Sequence, residues 1–186
     1  MSRIFSAILL FLAIQGFAQA TITIDGGSIL TVTSNNAIKQ DLILDDGTLR
    51  MAGAYNLNNI GTLTLSNNST IDFNGYGARI RFEDSSIKNW DANSILYIEG
   101  YTDSSRLIFR NQGLTNQQLS QILFINPNNK SGIFFGVMQD NSQVVPSVVP
   151  IPEKNSVLIM LILLTPFIIL HQYYDKKNNK KTNSRQ

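Results

Sequence analysis

Acidic side chains are the residues of this sequence most suited to chemistry, because paired carboxylates act as general acid and base in enzymes that cleave polysaccharides. Asp41, Asp45 and Asp46 lie close together in the sequence, and Arg50 follows them. The stretch Asp45-Asp46-Gly47 nevertheless has the composition of an ordinary tight turn, since Asp caps its own turn and Gly accepts a positive φ. We therefore expect a turn here rather than a catalytic pair.

The other common catalytic and metal-binding side chains are almost absent. The chain has no cysteine, which excludes disulfides, thiolate metal sites and a cysteine nucleophile. Its single histidine, His171, lies near the C-terminus, so the rest of the chain has no histidine base, Ser-His-Asp triad or histidine metal site. Glu83, Asp84 and Asp103 are equally compatible with solvated strand ends. We expect no catalytic residue, no cofactor-binding residue and no metal ligand, and hence a protein that is not an enzyme.

Aromatic side chains offer a second kind of chemistry, because a row of exposed rings can stack on sugars. Aromatic residues recurring at period two in a small β domain are more often part of the core. Both interpretations apply to the same six residues, which are Tyr76, Phe82, Trp90, Tyr97, Tyr101 and Phe109.

Short β-strands must position all of these residues. Runs in which polar and apolar residues alternate are rich in β-branched and aromatic side chains, and each run ends at Gly, Asn, Asp or Ser. No amphipathic helix of ten or more residues lies between Thr21 and Asn111. The predicted strands are 21–24, 29–33, 42–44, 48–51, 61–65, 70–73, 78–82, 94–98 and 106–109.

The regular spacing of these strands predicts a mainly β fold, for which two architectures fit. Similar phrases, GTLRM, GTLTL and STIDF, follow one another along the chain and favour a short right-handed parallel β-solenoid. The alternative is an antiparallel β-sandwich of hairpins. A solenoid needs covered ends, and we expect the strands nearest the N-terminus and the segment after Gly113 to provide the caps.

The segment after Gly113 departs from the β pattern. Thr115 is a suitable N-cap for a short helix in which Leu119 and Ile122 share a face. Strands are then predicted at 123–125 and 133–138. Prolines follow from Pro146 onward, and an extended proline-rich segment does not join a sheet interior. The predicted β domain is therefore 21–143, followed by a linker over 144–156.

The N-terminus has the pattern of a secretory signal peptide. Arg3 precedes an apolar stretch over 4–14, and Ala18 and Ala20 form a small-x-small cleavage site. We expect residues 1–20 to be removed from the exported protein.

The C-terminus has the pattern of a membrane anchor. The apolar run 157–170 extends to 174 if His171 to Tyr174 form an interfacial end, and eighteen helical residues span roughly 27 Å of a hydrocarbon core of about 30 Å. A basic tail over 175–186 follows, which by the positive-inside tendency stays in the cytoplasm. The sequence therefore predicts a transmembrane helix over 157–174, with the β domain on the other side of the membrane.

Charge in the β domain excludes a nucleic-acid footprint. Eight Lys and Arg residues and eleven Asp and Glu residues lie between residues 21 and 149, so the domain is mildly acidic although the whole chain has a formal net charge of +2. We expect no nucleic-acid partner.

Taken together, the signal peptide, the cysteine-free β domain, the motif around Pro150, Pro152 and Glu153, the apolar run and the basic end resemble the PEP-CTERM sorting-domain proteins of Gram-negative bacteria. The segment 90–146 also resembles part of exported proteins from Verrucomicrobia-like bacteria, in phrases such as ILYIEGYTDSSRLIFR and GLTNQQLSQILFINP. The resemblance implies that an exosortase, a membrane-bound processing enzyme, cuts near the motif and releases the domain for surface or matrix delivery. The family motif is usually Pro-Glu-Pro, whereas this chain has Pro152-Glu153-Lys154.

These features lead to two expectations from different functional classes. The first is a non-catalytic structural or matrix-associated protein of the cell envelope, anchored in membrane lipid before processing and then released to the surface or the medium. The second is a carbohydrate-binding or polysaccharide-acting module held at the membrane, with extracellular polysaccharide as its partner.

Overall fold

Thirteen β-strands, one short α-helix and two 3-10 helices, Arg110–Gln112 and Pro127–Asn129, lie within residues 20–152, the part of the chain that the computed structural model describes. All nine strands predicted before Asn111 are present, with bounds that differ by at most two residues. Two strands were not predicted: β5, whose three asparagines weaken the β pattern, and β13, which falls largely in the predicted linker. The strands are β1 (Thr21–Asp25), β2 (Ile29–Val32), β3 (Asp41–Asp45), β4 (Thr48–Met51), β5 (Asn56–Ile60), β6 (Leu63–Leu65), β7 (Ser69–Asp72), β8 (Arg79–Phe82), β9 (Leu96–Glu99), β10 (Arg106–Phe109), β11 (Ile122–Ile125), β12 (Ile133–Met138) and β13 (Gln143–Pro146); the helix is α1 (Asn116–Ser120).

Parallel pairing organises β1 to β11 into a β-solenoid of about five turns. Three parallel ladders form its walls: wall A (β1, β3, β6), wall B (β2, β4, β7, β9, β11) and wall C (β5, β8, β10). Paired residues are 19 apart early in the chain, as for Ile29 and Thr48, and 27 apart later, as for Ser69 and Leu96. The solenoid prediction is confirmed, and the sandwich alternative is wrong.

The corners between walls rely on residues that tolerate a left-handed backbone. Asp46 has a φ of 60° and is followed by Gly47, where a Cβ would collide with the Ile24 carbonyl of the previous coil. This confirms the turn predicted at Asp45-Asp46-Gly47. Asparagine side chains also join successive coils: the backbone N–H of Asn56 donates to Asn35 Oδ1 at 2.8 Å.

Inward-facing side chains fill the solenoid with one continuous apolar core. The residues at alternate positions of β3, β4 and β6 to β11 are buried, as the pleat of a strand dictates. Aromatic rings also contact each other between coils: Phe82 and Phe109 are stacked with centroids 5.1 Å apart, and Tyr101 and Phe124 meet edge to face with centroids 4.9 Å apart. The described core begins at Ile24 and ends at Val144, so it lies entirely within the β unit.

An antiparallel hairpin closes the C-terminal end of the solenoid. β12 pairs with β11 at the end of wall B, β13 pairs with β10 at the end of wall C, and the two strands pair with each other. The predicted helix is confirmed at α1, where Thr115 is the N-cap and forms a reciprocal capping box with Gln118. The predicted helix face shared by Leu119 and Ile122 is wrong, because α1 ends at Ser120 and Ile122 is the first residue of β11. The predicted strand over 133–138 is likewise confirmed as β12.

The predicted start of the linker at Val144 is wrong. Gln143–Pro146 forms β13, which lies between two other strands, and Val144 is fully buried. Proline is accepted because Pro146 is the last residue of the strand, where a missing N–H donor does little harm. The contacts within the chain divide it after Val149 rather than before Val144.

The N-terminal strands do not form the predicted cap. β1 and β2 are ordinary ladder strands, and within residues 20–152 each pairs on one side only, with β3 and β4 respectively.

Several predictions lie outside the described residues. They are the signal peptide up to residue 19, the end of the linker over 153–156, the transmembrane helix over 157–174 and the basic tail over 175–186. Residues 20–152 contain no helix with the length and apolar character needed to cross a bilayer.

Candidate functional site

The predicted processing residues lie at both ends of the described region. Ala20 is exposed and directly precedes β1, and Pro150 and Pro152 are exposed beyond the end of the β unit. Ala18 and Glu153 fall outside the described residues.

The acidic residues that first suggested catalysis do not converge on one groove. Asp41 accepts a hydrogen bond from the backbone N–H of Thr62 at 2.8 Å and lies 3.3 Å from the Lys88 ammonium. Asp45 accepts a hydrogen bond from the Asn67 side chain, and Asp46 lies in its corner. These carboxylates connect one coil to the next and do not form an acid–base pair.

The environment of Asp41 also favours its charged form. Burial by itself raises the pKa of this carboxyl, but the hydrogen bonds from Thr62 and the attraction of Lys88 lower the pKa further, so that the net shift is downward. A general acid requires the opposite shift. Asp41 is therefore suited to holding neighbouring coils together.

Most of the six aromatic candidates belong to the core. Phe82, Trp90, Tyr101 and Phe109 are buried, which confirms the core interpretation for these four. Burial raises the pKa of the Tyr101 hydroxyl, which accepts a hydrogen bond from Gln143 Nε2 at 3.1 Å. Tyr76, at 40% exposure, and the half-buried Tyr97 lie on different walls or corners and do not form a sugar-stacking row.

Arginines distinguish the outer faces of walls B and C. On wall B, Arg50 lies directly opposite Asp72 in the ladder, and its Nε donates to the Asp72 carboxylate at 2.9 Å. On wall C, Arg79 lies directly opposite Arg106, and Asn56 continues the same row onto β5. Among residues 20–152, neither Arg79 nor Arg106 forms an ion pair. Wall C therefore has the only outward row within the described chain where two arginines face each other.

Two further arginines lie near this row. Arg81 points outward two residues after Arg79, and its buried Nε has no hydrogen-bond partner among the described residues. Arg110, just after β10, forms an ion pair with Glu83 at 2.7 Å. The outer face of wall C is thus positive around Arg79, Arg81 and Arg106, whereas the charge of Arg110 is neutralised by Glu83.

Polar side chains line a surface cavity of the described residues. This cavity, of about 390 Å³, lies at the corner between walls A and B and is lined by Asp46, Asn67, Asn68 and Asp91, with Asn93 and Ser94. No group of three potential metal-ligating side chains occurs within residues 20–152. The polar cavity and the arginine row offer hydrogen-bonding groups and charge, which are suited to binding a polar ligand.

The arginine row was not predicted from the sequence. The Arg79-Ile80-Arg81 alternation is a readable signal, because residues two apart on a strand share a face. The pairing of Arg79 with Arg106 could not be predicted, because these two residues of successive coils are 27 positions apart in the sequence.

Comparison with known proteins gives no relative: no protein-family model, no curated protein and no solved structure matches this chain.

Proposed function

We propose that this chain is an exported, non-catalytic structural or matrix-associated protein of the cell envelope, sorted by a PEP-CTERM-like C-terminal signal. Residues 1–20 are the signal peptide, 157–174 the transmembrane helix in membrane lipid, and 175–186 the cytoplasmic tail. An exosortase-like enzyme recognises Pro150, Pro152 and Glu153. The proposal includes a right-handed sense for the solenoid, as expected for parallel strands joined by crossovers.

The observation that carries the proposal is the position of the two processing sites relative to the folded unit. Ala20 is exposed one residue before β1, and Pro150 and Pro152 are exposed and follow Val149, the last residue of the first compact unit of the chain. A processing enzyme needs an extended and accessible chain at its cleavage site. Cleavage at both places would leave the described core, from Ile24 to Val144, intact.

The state of the acidic residues supports a non-catalytic role. Asp41, Asp72 and Glu83 are in ion pairs, and Asp45 is hydrogen-bonded to Asn67 across the corner. Each of these contacts connects different coils or strands, which is a structural role.

The test is the intact mass and location of the protein recovered from a Gram-negative host that has an exosortase. We expect a species that begins at Thr21. Its C-terminus either ends near Pro152, if the Pro-Glu-Lys motif is processed, or remains at Gln186 in the membrane fraction. Full-length protein with Met1, dissolved in the cytosol, would contradict the proposal.

Two variants separate the two cleavages. Ala18→Phe should block removal of the signal peptide, because a large side chain does not fit the small-x-small pattern. The double variant Pro152→Ala/Glu153→Ala should leave signal removal unchanged and abolish any C-terminal processing. Removal of the signal peptide from Ala18→Phe, or C-terminal cleavage of the double variant at the same place as in the wild type, would rule out these sites.

A further inference from the structure

Two arginines lie side by side on the outer face of wall C, where their like charges do not stabilise the fold. Arg79 and Arg106 are neighbours on adjacent strands, and strands in a sheet lie about 4.8 Å apart. Like charges opposite each other destabilise a sheet. At the equivalent place on wall B the opposite residues are Arg50 and Asp72, which attract each other.

The guanidinium of Arg106 is held in place by its own corner. Its Nη1 donates to the backbone carbonyls of Asp103 and Ser105, at 2.6 and 2.7 Å. A guanidinium has five N–H groups, so these two hydrogen bonds from Nη1 leave the other N–H groups of Arg106 available to a ligand. Arg79 is exposed and has no side-chain hydrogen bond among the described residues. The row thus presents unsatisfied, positively charged donors to solvent.

We propose that the outer face of wall C binds a carboxylated polysaccharide, which lies along the solenoid axis over Asn56, Arg79 and Arg106. Guanidinium groups match carboxylates in bidentate geometry, and the amide of Asn56 donates to and accepts from hydroxyl groups. A linear polyuronate is a polysaccharide that carries carboxylate and hydroxyl groups in alternation along its length. Binding of such a polymer depends on the proposed function in one respect, because export is what brings the domain to the polymer.

Other polyanions fit the face less well. Nucleic-acid binding depends on a broad basic surface that releases many counterions, whereas acidic residues outnumber basic ones in this domain. Asp103 precedes β10 and Glu83 follows β8, so carboxylates limit the positive patch at opposite ends. A narrow positive row with a neutral amide beside it suits sparse charges on a hydroxylated chain.

The test is binding of the full chain, purified in a non-ionic detergent, to immobilised polygalacturonate, with neutral dextran and double-stranded DNA as comparison ligands. We expect retention on polygalacturonate that weakens as salt is added, and none on dextran. The double variant Arg79→Gln/Arg106→Gln should weaken binding by about tenfold or more, because a charge-assisted hydrogen bond contributes about tenfold or more to affinity.

A matched control removes the same charge elsewhere. Arg50→Gln/Lys88→Gln eliminates two positive charges away from wall C, one on wall B and one in the segment between β8 and β9, and we expect its polygalacturonate binding to change by less than about threefold. An equal loss in both variants, no binding by the wild type, or tighter binding to DNA would overturn the proposal.

A stability measurement separates binding from folding. Arg79→Gln should leave thermal stability unchanged or raise it, because the substitution relieves the repulsion by Arg106. A clear loss of stability would mean that Arg79 serves the fold, which contradicts the proposal. The polymer assay needs no export, so its failure is distinguishable from a failure of the mass measurement that tests the proposed function.

Discussion

Wall A is built in two different ways along the solenoid. In the first three coils, β1, β3 and β6 form a continuous parallel ladder in which backbone groups pair with backbone groups. Beyond β6 no described strand extends this wall, and side chains supply links between coils beside single backbone hydrogen bonds, such as the one from the Asp91 N–H to the Leu65 carbonyl at 2.8 Å. The Trp90 indole donates to the Leu63 carbonyl at 3.0 Å, and the Leu63 N–H donates to Ser85 Oγ at 2.9 Å.

Two buried glutamines continue this side-chain wall in the last coil. Gln118 Nε2 donates to the carbonyls of Ser85 and Lys88, at 3.0 and 2.8 Å. Gln121 Nε2 donates to the carbonyls of Asp91 and Ser94, at 2.6 and 2.7 Å. A backbone ladder tolerates most substitutions because every residue has the same N–H and C=O groups. A wall made of side chains depends on the identity of single residues.

The largest effect is expected at Gln118, since its amide makes three hydrogen bonds, including one from the Thr115 N–H to Oε1. Gln118→Ala should lower the free energy of unfolding by about 3 kcal/mol, because buried carbonyls lose their donors. Urea unfolding of residues 21–149 measures the loss. The exposed Gln117, changed to Ala, is the control and should cost less than about 0.5 kcal/mol. Equal costs at both positions would contradict the comparison.

A smaller loss is expected at Trp90. Trp90→Phe keeps an aromatic ring but removes the indole N–H, which leaves the buried Leu63 carbonyl without this donor. The free energy of unfolding should fall by about 2 kcal/mol. Phe109→Leu, in the same core without a lost hydrogen bond, provides a comparison. If Trp90→Phe costs no more than about 0.5 kcal/mol, the side-chain wall is not important for stability.

The Asp41 carboxylate connects the ladder part to the side-chain part, through Thr62 and Lys88. Because its pKa is lowered from 3.8 in the folded protein, it stabilises the fold above its ordinary pKa, and this contribution is lost as the pH falls through the lowered value. Unfolding followed from neutral pH to about pH 3 should show a larger decrease for the wild type than for Asp41→Asn. Parallel curves for the two proteins would contradict this role.

The smallest effect is expected within the ladder itself. Thr64 faces outward on β6, opposite Ile43 of β3. Thr64→Ala should change the free energy of unfolding by less than about 0.5 kcal/mol, because the backbone pairs are kept. The same urea titration measures it. A loss comparable to that of Gln118→Ala would remove the distinction between the two parts of wall A.

Local patterns explain how much of this fold was predictable. The alternation in 48–51 and 106–109 gave strands with the observed bounds, and Thr115 marked the start of α1. The prolines after Gln143 misled the prediction, because the rule against proline in sheets applies to interior positions and Pro146 is the last residue of its strand. β5 was missed because asparagine is a poor strand former in isolation, whereas here neighbouring coils pair with it.

The sequence by itself determined the period of two, the turns and the acidic character of the β domain, because these depend on residues close together in the chain. Only the tertiary structure decided the register between coils. That register places Arg79 opposite Arg106 and Arg50 opposite Asp72, and it brings the Gln118 amide within hydrogen-bond distance of the Ser85 carbonyl. The two residues of each pair are more than twenty positions apart in the sequence. The physical reason is that coil length is set by how loops pack at the corners, and a change of one residue there would turn each strand's outward side chains inward.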